Sequence, residues 1–367
     1  MIADRTWKGA GMQSFAGCAA VAGIGMTTLS RRSGRTELEL AAQACRAACA
    51  DAGITPGEVD GLLSYHMNDS APVVQVARAL GVERLRWHND IAGGGTQAAS
   101  VLGDAAMLVH AGLARNVLVF RALNGRSGTR MNTASTGPLE HHTYGLAGPI
   151  PLFAMAATRY LHDTGLTAEH LHAVVAQSRS NAATNPRALR REPLELAAYL
   201  DKPYVCTPLR TADCCQETDG ACALVVSGVL DGPRIRAVVR GGGPGCSSMD
   251  RSPDVTAVFS AYVAPMLWAA SGMRPSDVEA ALLYDAYSWL VPRQLEDFGL
   301  AARADLGAYL LERRHAWVNP HGGLLSEGYV HGLNNVAQAV RELRAGRETA
   351  LVTGFGGSYG SAALLTR

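Results

Sequence analysis

The stretch "GITPGEVDGLLSYH" at 53–66 returns as "GMRPSDVEAALLYD" at 272–285. From the prolines the two align position for position, with Pro56 over Pro275, Glu58 over Asp277, Val59 over Val278 and Tyr65 over Tyr284. A second pair follows in the same order and at nearly the same offset. The run ending "VHAG" before "NVLVF" (107–120) parallels the run ending "LRAG" before "TALVTGF" (342–355). Repetition constrains a fold more tightly than local propensity, because each unit must bury its apolar face against its neighbour. Two ordered matches predict a duplicated half.

Within the first half, "FAGCAAVAGIGM" reads as a strand, "TELELAAQACRAACADAG" as an amphipathic helix and "VDGLLSYH" as a strand. "TQAASVLGDAAMLVHAG" then reads as a helix and "NVLVFRAL" as a strand, which is α/β grammar. With 367 residues, 48% of them hydrophobic, the chain can bury a large core.

Sliding the second match back through its helix sets "IAGGGTQ" (91–97) over "LSEGYVH" (325–331). Both halves thus place a glycine loop at a helix N-terminus. Unpaired N–H groups and the positive end of the helix dipole favour an anion or a developing oxyanion there. Tyr329 lies in the second of these loops, which favours chemistry over packing. Tyr284 ends the apolar run "EAALLYD", and its repeat partner Tyr65 holds the same place, so a core role stays open for it.

Several function classes fall away. Net charge is +1 with the signs interspersed, so nothing draws the chain to nucleic acid or a membrane surface. No apolar run reaches the roughly 18 residues of a membrane span. The opening "MIADRTWKGAGMQSF" has no basic region followed by an apolar core, so no secretory signal is expected, and the closing "LLTR" is not a peroxisomal tripeptide. Eight scattered cysteines without CxxC spacing fit a reduced cytoplasm. Cys45 and Cys49, four apart in an alanine-rich helix, are expected as small buried residues.

Taken together, "GRTELELAAQACRAACADAGITPGEVDGL", "DIAGGGTQAAS", "TPLRTADCCQETDGACALVV", "ALLYDAYSWLVPRQLEDFGL", "NPHGGLLSEGYVHG" and "TGFGGSYGSAALL" resemble the thiolase superfamily over nearly the whole chain. The likeness is greatest to its sterol carrier protein X, or lipid-transfer-protein, branch. The resemblance implies an α/β, thiolase-like fold: duplicated αβαβα halves forming a five-layered core with an inserted loop domain. Expected boundaries are 1–125 for the N-terminal half, 126–230 for the loop domain and the remainder of that half, and 231–367 for the C-terminal half. It also implies a dimer and a coenzyme A thioester substrate.

The departures from the family pattern carry more information. Where thiolases hold a nucleophilic cysteine, this chain reads Ala92-Gly93-Gly94-Gly95, and no cysteine occurs between Cys49 and Cys206. Where they carry Asn-Glu-Ala-Phe or His-Asp-Cys-Phe it has Tyr284-Asp285-Ala286-Tyr287, and where they carry Gly-His-Pro it has Gly328-Tyr329-Val330. Their second cysteine falls on Thr353 or a neighbour. Without a thiolate there is no acyl-enzyme, and Ala92→Cys is not expected to restore thiolysis.

Retro-aldol cleavage of a β-hydroxyacyl-CoA remains open. It needs a base for the β-hydroxyl, stabilisation of the thioester enolate and an acid for the α-carbon. A Schiff base needs a pocket lysine, and the only lysines are Lys8 and Lys202, the latter in the turn-like "LDKPYV". A zinc aldolase needs clustered histidines. His141 and His142 are adjacent on a Gly/Pro-rich loop and diverge, while His321 and His331 lack an obvious third ligand. Phenols remain, and a tyrosine pair at these positions resembles the steroid side-chain aldolases, which release a ketone and a short acyl-CoA such as propionyl-CoA or acetyl-CoA. A non-catalytic acyl-CoA- or lipid-binding subunit and an atypical thiolase are the alternatives.

The resemblance implies catalytic roles for Tyr284 and Tyr329, with Tyr287 competing for the first, and a role for His321. It implies oxyanion or substrate contacts from Gly93, Gly94, Gly95, His331 and Asp285. Cys214-Cys215 and "TDGA" (218–221) are expected to form a structural turn. Arg187, Arg190 and Arg191, which could meet CoA phosphates, are expected on a solvated surface. No metal and no permanently bound cofactor is implied; coenzyme A belongs to the substrate. Implied partners are a second copy and an OB-fold, zinc-ribbon protein, making a heterotetramer that links to an enoyl-CoA hydratase, with any zinc in the partner. The implied location is the bacterial cytoplasm.

Overall fold

Each half carries the same local device ahead of a parallel strand. Pro56–Glu58 and Pro275–Asp277 form single 3-10 turns. These are closed by Val59 N–H donating to Pro56 O (3.2 Å) and Val278 N–H to Pro275 O (3.3 Å). The acid at the turn's end reaches back to the residue before the proline: Thr55 N–H donates to Glu58 and Arg274 N–H to Asp277, both at 2.8 Å. Proline supplies the fixed φ of a first helical position and the acid satisfies an orphan donor. That is why this spacing survives in both copies.

A computed structural model describes residues 16–128, 139–146, 148–244 and 249–367. Lys8, Cys246 and positions 129–137 of the Gly/Ser-rich stretch lie outside them. The first half runs β1 (Ala20–Met26), α1 (Glu37–Asp51), β2 (Gly61–His66), α2 (Val73–Leu80), β3 (Trp87–Ala92), α3 (Gln97–His110) and β4 (Asn116–Asn124). An insertion follows: α4 (Leu139–Thr143), α5 (Ile150–Thr164), α6 (Ala168–Ala182), α7 (Leu196–Leu200) and a small hairpin, β5 (Tyr204–Cys206) with β6 (Leu209–Arg210). The strand β7 (Asp219–Ser227) returns to the first sheet. The second half runs β8 (Arg234–Gly242), α8 (Ser260–Ser271), β9 (Ala280–Leu282), α9 (Leu290–Asp297) and α10 (Leu306–Leu311). It ends with α11 (Gly323–Ser326), α12 (Leu333–Arg344), β10 (Thr349–Phe355) and β11 (Tyr359–Thr366).

The strand order is β3-β2-β4-β7-β1-β8-β11-β10-β9. The two halves meet at β1 and β8, where Ala20 pairs with Arg234, Val21 N–H donates to Pro233 O (2.8 Å) and Ile235 N–H to Ala19 O (3.0 Å). Repeat-related strands pair alike: β2 runs parallel to β4 with Gly61 opposite Val117, and β9 parallel to β10 with Ala280 opposite Ala350. Helices α3 and α12 lie in the middle. One core joins their Leu102, Ala106, Val336 and Val340 to strand residues of both halves, such as Val119 and Val352. A second core sits under α1 and α2, with Cys45 and Cys49 inside it. A third lies under α8, α9 and the inserted α5 and α6. The nine strands form one continuous sheet whose two halves flank α3 and α12, so the layers run helix, half-sheet, helix, half-sheet, helix. No helix among the described residues is long and apolar enough to cross a membrane.

Three expectations need correction. Helix α2 was not foreseen although Val73, Val76, Ala77 and Leu80 form its buried face, and strand β3 was not foreseen because "WHNDIA" is polar and exposed at the sheet edge and offers no burial pattern. His141 and His142 sit on the one-turn helix α4 rather than on a loop. Arg187 and Arg190 are half-buried, not solvated. Arg190 reaches Cys214 O and Leu325 O (3.5 and 3.4 Å), and Arg187 Nε pairs with the fully buried Glu327 at 3.0 Å. Only Arg191 is exposed.

Burial works to raise the Glu327 pKa, yet facing His321, the amides of Asn334 and Asn185, and the Arg187 guanidinium hold it below the ordinary carboxylate value. Removing one partner of such a pair leaves a buried charge unmatched. Arg187→Met is therefore expected to lower stability by about 3 kcal/mol in a denaturant titration. An unchanged midpoint would show that the amides alone carry Glu327.

Candidate active site

Tyr284 follows β9 directly, and its backbone is clamped on both sides. Its N–H donates to Thr353 Oγ1 (2.8 Å) and its carbonyl accepts from Gln294 Nε2 (2.9 Å). Thr353 Oγ1 in turn donates to Gln294 Oε1 (2.6 Å). Thr353, where a second thiolase cysteine would fall, is thus consumed in holding the tyrosine. The Tyr329 loop is held as firmly. Tyr329 N–H donates to Thr218 Oγ1 (3.1 Å), and Asn334 Nδ2 donates to both Glu327 (2.9 Å) and Gly328 O (3.2 Å).

The two phenols meet. Their hydroxyl oxygens are 2.8 Å apart, with the rings edge-to-face at 82°. Burial, above all, raises both pKa values well beyond that of a free phenol, so each keeps its proton at neutral pH. The pair opens onto a cavity of about 250 Å³ whose wall includes Phe153, Tyr287 and Phe355. Gly93, Gly94, Gly95 and His331 line it as well.

The first glycine loop explains why no nucleophile stands here. A Cβ on Gly95 would lie 2.1 Å from the Tyr284 hydroxyl. Position 95 is also the repeat counterpart of Tyr329, so it, rather than exposed Ala92, is the position that faces the pair. The N–H of Gly93 is spent on His66 O (3.1 Å), which removes it as an oxyanion donor, whereas those of Gly94 and Gly95 have no acceptor among the described residues. Cys214 and Cys215 reach the cavity wall, but burial pushes both thiols up, Cys214 to about 12, so neither is a ready thiolate.

Two expected site residues lie elsewhere. Asp285 accepts from the Leu324 and Leu325 N–H groups (2.8 and 3.4 Å) and caps α11; burial raises its pKa to about 7. His321 bonds Asn335 Oδ1 (3.1 Å) and faces Glu327 at 3.7 Å within the buried network under the loop. Neither borders the cavity. Both follow the motif in sequence, but their side chains point into the loop's support. Among the described residues no group of three His, Cys, Asp or Glu side chains could hold a metal ion.

Sequence reasoning missed Arg121 and Asp69. Arg121 is wholly buried in β4, pairs with Asp69 at 2.6 Å and donates to His331 Nδ1 from Nε (3.1 Å) and Nη2 (2.7 Å). The signal was available: an arginine inside the apolar run "NVLVFRAL" has to find a charged partner.

A thiolase-like fold in which a phenol fills the room beside the first glycine loop defines a member of the thiolase class that lacks the catalytic cysteines. The thiolase C-terminal domain-like family matches residues 245–365. The chain is 37% identical to the 17-hydroxy-3-oxo-4-pregnene-20-carboxyl-CoA lyase of Mycobacterium tuberculosis, covering 92% of this chain and 96% of that one. It is 37% identical to the steroid side-chain-cleaving aldolase of Thermomonospora curvata, over 91% of this chain and 92% of the relative. A solved Ltp2-ChsH2(DUF35) aldolase superposes with a TM-score of 0.88 at 35% identity, covering 96% of this chain and 99% of that one. The chain belongs to the family of thiolase-like steroid side-chain-cleaving aldolases.

Gly95→Cys tests the steric reading. The added side chain must displace the Tyr284 hydroxyl, at about 1–3 kcal/mol of overpacking, and should yield no CoA-dependent cleavage of a 3-oxoacyl-CoA. Efficient thiolysis by that variant, followed as consumption of free CoA, would show that the cysteine alone was missing.

Proposed function

We propose that this chain cleaves a β-hydroxyacyl-CoA, a steroid side-chain thioester, to a ketone and a shorter acyl-CoA such as propionyl-CoA or acetyl-CoA. The β-hydroxyl loses its proton, the Cα–Cβ bond breaks, and its electron pair becomes the thioester enolate. Protonation at Cα then completes the acyl-CoA. The net change moves one proton from the β-oxygen to the α-carbon, and no free CoA or water is consumed.

The observation that carries this reading is the hydroxyl pair, 2.8 Å apart, in the space that Gly95 leaves empty. Raised pKa values argue against a resting phenolate, but the pair needs none. As one phenol gives its proton to the enolate carbon it takes its partner's proton across their hydrogen bond, and the partner takes the β-hydroxyl proton in the same relay, so both end neutral. We assign Tyr284 and Tyr329 as the proton carriers, with either order open to the geometry. Gly94 N–H, Gly95 N–H and His331 face the thioester oxygen, while Asp285 and His321 act as supports of the Tyr329 loop. Coenzyme A enters as part of the substrate; no resident cofactor takes part.

We further infer a homodimer in the bacterial cytoplasm, joined to an OB-fold, zinc-ribbon partner as a heterotetramer that receives substrate from an enoyl-CoA hydratase. Among the described residues the outer edge of β3 pairs with no strand, and Trp87 on it and Met107 of α3 are about half exposed; a bare edge strand invites pairing, which supports a second copy. The two relatives at 37% identity are bacterial, and one similar solved structure is an Ltp2-ChsH2(DUF35) aldolase.

Phenylalanine at either position keeps the volume and removes only the hydroxyl. Tyr284→Phe and Tyr329→Phe should each lower turnover by roughly two to four orders of magnitude while acyl-CoA binding persists. Mass spectrometry of the products, without added CoA, reads the outcome. Near-wild-type turnover in Tyr329→Phe would return that residue to packing.

A further inference from the structure

The His331 ring is held from behind by a donor that cannot accept. Both Arg121 contacts reach Nδ1, and a guanidinium has no lone pair to offer. Nδ1 must therefore be the accepting nitrogen, which leaves the ring proton on Nε2. Burial and the Arg121 charge hold the His331 pKa down at about 3, so the ring is neutral over the working pH range. Asp69, beside Arg121, balances the guanidinium charge and keeps its own pKa low.

The other edge of the ring faces the cavity. A Cβ on Gly94 would lie 3.5 Å from His331 Nε2, and Nε2 has no hydrogen-bond partner among the described residues. His331 also packs edge-to-face on Tyr329, at 4.8 Å between ring centres. Its backbone is unusual: φ is +46°, a region that a non-glycine residue enters at a cost. Tyr65, the repeat partner of Tyr284, holds that conformation by donating to His331 O at 3.0 Å. A strained backbone, a buried arginine and a buried tyrosine thus all fix one imidazole edge toward the cavity.

We propose that His331 donates its Nε2–H to the thioester oxygen, and that Arg121 with Asp69 is the positioning pair that fixes this tautomer. This rests on the aldolase reading for its role in turnover, but not for the hydrogen bond itself. A neutral imidazole suits the task, because it polarises a carbonyl without releasing its proton to the enolate. The proton at the α-carbon then comes from the phenol pair.

Two measurements on the full chain test it. In nitrogen-15 NMR of labelled histidines, assigned by loss of signal in His331→Gln, His331 should show a bare Nδ1 and a protonated Nε2 from pH 8 down to pH 5. A proton on Nδ1, or an imidazolium at pH 5, overturns the positioning role of Arg121. An acyl-CoA lacking the β-hydroxyl and carrying carbon-13 at the thioester carbonyl should show a low-field shift when bound. That shift should vanish in His331→Leu and persist in His331→Gln, whose amide nitrogen stands near Nε2. An equal shift in wild type and His331→Leu overturns the donor role. Because this ligand cannot be cleaved, the result is independent of whether the chain is an aldolase. In turnover, His331→Leu should lose about 10²–10³ in kcat, with His331→Gln recovering at least roughly tenfold. Exchanging Arg121→Met together with Asp69→Leu should lower kcat with little change in KM and give a mixed tautomer. A wild-type chain that cleaves no β-hydroxyacyl-CoA would sink the aldolase reading alone.

Discussion

Two loops can share one active centre here because neither brings a side chain to the point of closest approach. Gly332 lies where a Cβ would come within 2.8 Å of the Tyr284 ring and 2.9 Å of Ala98, and Gly95 faces the Tyr284 hydroxyl still more closely. The central helices α3 and α12 bring these loops together, since both are buried against strands of the two halves. A methyl group at either glycine would push the phenol away from its partner. The chemistry therefore depends on an absence, and the position a thiolase gives to sulfur becomes the room that a tyrosine fills.

Buried charge supplies the rigidity that such close packing requires. Glu327 sits two residues before Tyr329 and holds the loop through Asn334 and Asn185, with Arg187 balancing its charge. On the other side Arg121 and Asp69 hold His331. A buried ion pair adds little net stability compared with apolar packing, but it specifies geometry because its hydrogen bonds are directional. Between these two pairs the tyrosines stay uncharged, which suits a proton relay.

The duplication supplied equivalent places, and the two halves then used them differently. Tyr65 and Tyr284 occupy the same repeat position, and both are buried. Tyr284 meets Tyr329 at the cavity, whereas Tyr65 donates to a backbone carbonyl of the opposite half's loop. Across the molecule one tyrosine faces the cavity and its twin is scaffold. Gly95 and Tyr329 differ in the reverse sense, one offering only backbone and the other a hydroxyl at the cavity.

The sequence by itself determined the duplicated α/β architecture, because the proline–acid turn and the strand after it are local devices that appear wherever the same spacing recurs. It also determined the loss of the thiolase cysteines, which is a matter of identity alone, and it pointed to Tyr329 through its glycine loop at a helix N-terminus and to Tyr284 through the resemblance to the family's motif. It could not separate Asp285 and His321 from the site: adjacency in the chain does not say which way a side chain points, and both turn into the support beneath the loop. Nor could it find β3, whose polar run shows no burial pattern, or join Arg121 to His331 across 210 positions of sequence. Which nitrogen of His331 carries the proton is set by a contact between halves, and only the packed structure decides that.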